Sequence, residues 1–372
     1  MRNLILILLL LVLPTRCEAT ENKIYRQFEM TGIEEAFDVT SDVFPEFDSR
    51  KMVEDLATGK AFDTSKIIDN LFTFFAEEFK NNLRICALLL TVGFLIGILS
   101  NMQTAYGGGG ASEIGFFVAY CIFAGVLIVA FSEIISPAKE MIETVSVMVS
   151  ATIPVLISLV TISGGVVTSS LMSSGMIMLV NVLNSVISGI VFPLILCSFS
   201  LSVTANMSEK LPLSHTVVTV RKTVKWILLF IMAVFAGIFG VYGLSGSAID
   251  ATAGKAVRFA VGSGIPLVGG VAADSLETVI ATLGATRNII GTVGMCAVAV
   301  TAATPIIKTA VLMWIFRICC AIIEPFSNPK VVKLMSDAAE CISLVFSVLI
   351  SVCLLFVGAI GILLIAGNFI TG

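Results

Sequence analysis

The chain has 372 residues, of which 57% are hydrophobic and only 13% charged, with a formal net charge of −4. A soluble domain of ordinary composition carries about 25% charged residues, so a mean hydropathy of +1.03 points to a polytopic membrane protein. The slight acidity and the lack of a basic patch with interleaved aromatics exclude a nucleic-acid footprint.

Residues 1–19 have the layout of a signal peptide. Arg2 supplies the positive start, Leu4 to Leu13 the apolar core, and Cys17-Glu18-Ala19 a small-x-small cleavage site. Residues 20–82 are then expected to form an acidic extracytoplasmic helical segment. From Glu21 to Glu78 it carries fourteen acidic residues against seven Lys and Arg between Lys23 and Lys80. Within it Ile67, Ile68, Leu71, Phe72, Phe74, Phe75 and Phe79 recur at helical spacing behind Asp63-Thr64-Ser65, a possible N-cap. That spacing predicts an amphipathic helix, resting on the membrane or on a partner.

Residues 83–372 are expected to be an all-α multi-pass membrane domain of about eight spans, near 83–103, 114–135, 141–162, 172–203, 226–244, 288–304, 306–323 and 341–366. Gly107 to Gly110 lack the strand and the Lys-Ser/Thr of a phosphate loop, so they read as a turn. Gly93 and Gly97 form a GxxxG that permits close helix approach. Pro154 and Pro193, in a region rich in Ser, Thr, Gly and Met, suit kinked helices that pack closely or line a polar path.

Between Met207 and Lys225 stand Lys210, Arg221, Lys222 and Lys225 against Glu209 alone, which by the positive-inside bias is cytoplasmic. Four preceding spans from an external start would put the same stretch outside. The two signals conflict: either an early segment, such as the amphipathic start at Lys139 to Glu143, fails to cross, or the bias is overridden. Arg287, Lys308 and Arg317 fall near predicted membrane edges and are expected to snorkel.

The stretch 254–279 departs from the rest. Lys255 and Arg258 precede a run of helix breakers (Gly262, Gly264, Pro266, Gly269, Gly270), and Asp274 and Glu277 follow. Each charged pair is spaced i, i+3 on one face of a short helix, and the run between them should turn the chain near Leu267. Charges among membrane spans are costly unless they face a cavity or one another. The expectation is a broken-helix hairpin whose charges have a structural or gating role, with Arg258 and Glu277 at similar depth; the alternative is a solvated loop.

No catalytic, metal or cofactor site is expected. His215 is the one histidine, the nine cysteines form no CxxC, and no Ser or Cys has a convincing base, a Ser/Lys dyad through Lys255 being the nearest. There is no room for a nucleotide-binding fold, so active transport would need an ion gradient or a separate motor.

The block from Trp226 through Lys255, Arg258-Phe259-Ala260, Ile265-Pro266-Leu267-Val268-Gly269-Gly270, Asp274 and Thr278-Val279 resembles the stage III sporulation protein AE family. The Pro325 loop and the last span resemble it too, and Arg287-Asn288 stands where that family often has Lys-Asn. The resemblance implies a channel or export-gate-like subunit, not an enzyme, in the mother-cell membrane around the forespore. Its implied partners are other membrane proteins of a secretion-like complex and a separate cytoplasmic ATPase. An autonomous secondary transporter is the alternative, since broken helices with opposed charges mark substrate sites there. An intramembrane enzyme and a pure scaffold are further readings.

Overall fold

The computed structural model describes residues 64–371, apart from 106–109, 208–212 and 265–268. The signal peptide and most of the acidic segment therefore lie outside the described residues. Every described element is helical: α1 Thr64–Asn81, α2 Leu83–Ala105, α3 Gly110–Ile162, α4 Val166–Val186, a π-helical turn Ile187–Val191, α5 Phe192–Met207, α6 Ser214–Gly264, α7 Gly269–Ile323 and α8 Pro329–Thr371.

Helix α1 has the predicted amphipathic spacing and docks on its own chain: Phe75 and Phe79 pack against the core and the helix contacts α7. Five helical stretches among the described residues are long and apolar enough to cross a membrane: Leu83–Met102, Ile114–Ile162, Val166–Met207, Thr278–Ile323 and Pro329–Gly367. Two of the expected boundaries do not break the backbone. Pro137 lies inside α3 and Pro305 inside α7, so 114–135 and 141–162 are one helix, as are 288–304 and 306–323. A count of about eight separate spans is therefore not reproduced. Helix α3, at 53 residues, is about 80 Å long at 1.5 Å per residue, against a hydrocarbon core of about 30 Å. Its charged middle, with Glu133, Lys139, Glu140 and Glu143 exposed, marks where the sequence changes character without a turn.

Local chemistry explains the real breaks. Between α3 and α4 the Gly165 N–H donates to Val160 O (2.9 Å) and the Gly164 N–H to Thr161 O (3.0 Å). This is a Schellman stop, and Gly164 has the positive φ of 100° that it needs. Between α7 and α8, Asn328 caps α8 by accepting the Lys330 N–H at 3.0 Å, with Pro329 in the first helical position where a missing donor costs nothing. The π-helical turn ends two residues before Pro193, which cannot donate to the carbonyl four residues back. The Phe192 N–H reaches Ile187 O, five residues back, so the helix widens and continues instead of breaking.

Side-chain pairings fix the directions. Helices α7 and α8 are antiparallel along their length: Arg287 meets Gly367, Gly291 meets Leu364, and Cys320 reaches Val332 O at 3.6 Å. Helix α6 runs against α4 and α5, with Asp250 beside Val167 and Arg221 beside Ser198 and Ser202. Tyr120 donates to Val203 O at 2.9 Å, and Asn328 donates to Ser100 Oγ at 3.0 Å. One end of the bundle thus gathers the α2–α3, α5–α6 and α7–α8 connections, and the other gathers the α3–α4 and α6–α7 connections.

The GxxxG of α2 has a specific partner, the α7–α8 turn. A Cβ at Gly93 would press on the Ile323 side chain, and one at Gly97 would overlap the Phe326 carbonyl. Ser327 Oγ donates to Gly93 O at 3.1 Å across the same contact. Backbone cannot move aside as a side chain can. Gly97→Ala is therefore expected to destabilise the detergent-solubilised protein by about 1–3 kcal/mol, Gly93→Ala by less, and Gly125→Ala, whose Cβ meets nothing within 4 Å, hardly at all. Thermal unfolding of the three variants checks that order.

Candidate functional site

The charges singled out in the sequence sit on the last turns of α6 and the first turns of α7. Positions 255, 258, 262 and 264 are helical, as are 269, 270, 274 and 277, and they belong to helices of 51 and 55 residues, not to short ones. The connection with Pro266, and the side chains of Lys255, Arg258, Asp274 and Glu277, lie outside the described residues, so their pairing does too.

The described residues bring together a different charged cluster. Val217, Arg221, Val224 and Leu228 form the buried stripe of α6, and Arg221 is only 5% exposed. Its guanidinium has five N–H donors, and each meets an acceptor. Nε donates to Ser198 Oγ (3.1 Å). Nη1 donates to Asp337 Oδ1 (2.9 Å) and Glu340 Oε2 (2.6 Å). Nη2 donates to Ser202 Oγ (2.8 Å) and to the Asp337 carbonyl (3.1 Å). Asp337 is held from its other side by Asn206 Nδ2 at 2.8 Å. Three helices, α5, α6 and α8, are tied at one point, and the helix start of α3 joins through Tyr120.

A second acid secures the opposite end. Asp250 is 2% exposed and accepts the Val167 N–H at 3.0 Å and the Thr168 N–H at 2.7 Å. The N-cap position of α4 is Gly165, which has no side chain to do this. Asp250 thus caps α4 from another helix, where the dipole also favours a carboxylate. Arg287, expected to snorkel, is instead fully buried against Gly367. The expectation rested on nearness to a predicted span end, and α7 has no end there.

A polar helix face is the third feature. At 100° per residue, Ser170, Ser173, Asn181, Asn184, Ser185 and Ser188 fall within an arc of about 120° on α4 and its π turn. All six are exposed or half-exposed. Hydroxyls on membrane helices can bond back to their own carbonyls, as Ser158 and Thr161 do. An amide cannot satisfy both its ends that way, and Asn184 Oδ1 accepts only from Ser188 at 3.2 Å among the described bonds.

Asp250, Asp337 and Glu340 escaped the sequence reading, although an acid inside an apolar helix is itself a signal. Arg221 was absorbed into a basic loop. The phase of Val217, Val224 and Leu228 would have separated it from Lys222 and Lys225, which are exposed. Cys86 and Cys319 are free thiols with Sγ atoms 3.1 Å apart, joining α2 to α7.

The profile of the stage III sporulation protein AE family matches residues 47–367. A stage III sporulation protein AE of Bacillus subtilis (strain 168) is similar at 26% identity over 326 residues, covering 88% of this chain and 82% of that protein. No solved structure matches.

Removing one partner of a buried ion pair leaves the other uncompensated, at a cost of about 3–5 kcal/mol. Arg221→Ala should therefore destabilise the purified protein most, and Asp337→Ala should follow. Glu340, with its side chain 57% exposed, should cost about 1 kcal/mol or less. Melting of the three variants in detergent gives the ranking, and a Glu340→Ala loss larger than that of Asp337→Ala would overturn it.

Proposed function

The chain belongs to the stage III sporulation protein AE family, and from that premise we propose that it serves as a membrane subunit of a secretion-like conduit between mother cell and forespore. The observation that carries this reading is the exposed polar face of α4. Asn181, Asn184, Ser185 and Ser188 stand on a helix otherwise apolar enough to cross a bilayer, and they point away from the bundle core. Amides in contact with lipid tails would lack partners at a cost of several kcal/mol each. Water in a path, or polar groups of a neighbouring subunit, would satisfy them.

The ends of the helices support an orientation. Three helical units, α2, α3 and α4–α5, lie between the N-terminal segment and the basic stretch that ends at Lys225. An odd number of crossings from an external start puts that stretch in the cytoplasm, in accord with the positive-inside bias. Counting 110–162 as one crossing would remove the conflict between leader and basic loop. In this arrangement the α6–α7 connection, flanked by Lys255, Arg258, Asp274 and Glu277, stands at the forespore-facing end as a gate, and a separate cytoplasmic ATPase would drive transport from the other. The chain itself is read as a non-enzymatic subunit.

Two measurements test this. In sporulating cells, Asn181→Cys and Ser188→Cys, in a background without native cysteines, should react with a water-soluble thiol reagent, whereas Ile122→Cys on exposed α3 should not. Equal, negligible reaction at all three would put the polar face in a dry contact and remove it as a path. For topology, exposed Ser214→Cys and Glu324→Cys should be labelled from one side of the membrane and Ile162→Cys from the other. Labelling of Ser214→Cys and Ile162→Cys from the same side would end the orientation.

A further inference from the structure

Helices α4 and α6 do not close on each other along their whole length. Between the Arg221 cluster and the Asp250 cap they leave a groove of about 650 Å³. Its wall is formed by Leu179, Val182, Val186 and Ile190 on one side and by Trp226 and Phe230 on the other. Only Thr223, at one end, is polar. Trp226 is 72% exposed and Phe230 68%, so the groove opens outward.

Its surroundings are not symmetric. The end at Thr223 and Trp226 is flanked within one helical turn by Lys222 and Lys225, both exposed. Among the described residues neither makes an ion pair, because Asp337 and Glu340 are engaged by Arg221. A tryptophan beside lysines at the end of an apolar stretch is the pattern of a helix at the headgroup level. The groove's far end, towards Leu179, carries no such cations. An occupant must therefore be apolar along most of its length and anionic at one end.

We propose that this groove holds an acyl chain of an anionic phospholipid, with the phosphate headgroup bound by Lys222 and Lys225. The π-helical turn contributes to the site: Val186 and Ile190 line the groove, and the widened backbone at Ile187–Val191 carries Ile190 on its outer side. The inference does not depend on the conduit reading, since it uses the other face of α4. It gives Lys222 and Lys225, on the exposed face of α6, a role distinct from that of Arg221 on its buried face.

Trp226 supplies the probe. The chain has two tryptophans, so in a Trp314→Phe background the fluorescence reports this site alone. The full chain is reconstituted in vesicles of phosphatidylcholine containing a minor fraction of either brominated phosphatidylglycerol or brominated phosphatidylcholine. Two ammonium groups, each contributing about 1 kcal/mol towards an anionic headgroup, predict a preference of about 30-fold for the phosphatidylglycerol quencher. The preference should fall to near unity in Lys222→Gln/Lys225→Gln, while Lys330→Gln/Lys333→Gln, which removes equal charge at the same end of the bundle, should retain it. Equal quenching by both lipids would reduce the groove to ordinary bilayer contact, and no quenching by either would assign it to a protein segment. A preference that survives in Lys222→Gln/Lys225→Gln would detach the headgroup from these lysines. Any of these three results overturns the proposal.

Discussion

The bundle depends on one guanidinium. Arg221 stands where α5, α6 and α8 converge, and all five of its donors are used: two on serine hydroxyls of α5, three on Asp337 and Glu340 of α8. Apolar side chains facing each other in a bilayer gain little from mutual contact over contact with lipid. Directional bonds and close backbone approach must then choose which helix faces which. A planar group with fixed donor directions is suited to that choice, because three helices satisfy it together only in one register. Asn206, bonded to the far oxygen of Asp337, fixes the carboxylate from behind.

Small residues complete what the cluster begins. Gly93 and Gly97 admit the α7–α8 turn, Gly291 admits Leu364, and Gly367 admits Arg287. Glycines elsewhere, such as Gly125, Gly175, Gly189 and Gly237, have open space around the position of a Cβ. The spacing of glycines therefore does not by itself mark an interface. Only four of these positions meet a neighbouring helix or turn closely, and each lies along α2, α7 or α8.

How much of this was legible in the sequence follows from range. Apolar runs mark the helices, but the run at 341–366 understates α8, which starts at Pro329 behind the Asn328 cap, where first-turn chemistry and not hydropathy sets the boundary. The expected boundaries at 136–140 and at 305 are not breaks, because a helix supported on its flanks keeps its course through the one donor missing at Pro137 or Pro305. At Pro193 the outcome was a widened turn. Arg221 and Asp337 are 116 residues apart, and no local pattern pairs them. The acid at 250 likewise acts on an amide 83 residues away. Sequence shows where a charge is out of place; the fold shows what answers it.

The same reasoning limits what one copy of the chain can do. Among the described residues two sets of polar side chains bear on this, and the first, Arg221 with its acids and Asp250 with the α4 amides, finds its partners within the bundle. The second, on α4, is turned outward at Asn181, Ser185 and Ser188. A path for water cannot be enclosed by the outside of a single helix, so the proposed conduit would need the surface opposite those residues to come from another subunit. The groove on the other side of α4 presents apolar walls, which lipid satisfies without any partner. Helix α4 thus separates two environments, one suited to lipid and one that lipid cannot satisfy, and in the proposed conduit this asymmetry would orient the subunit.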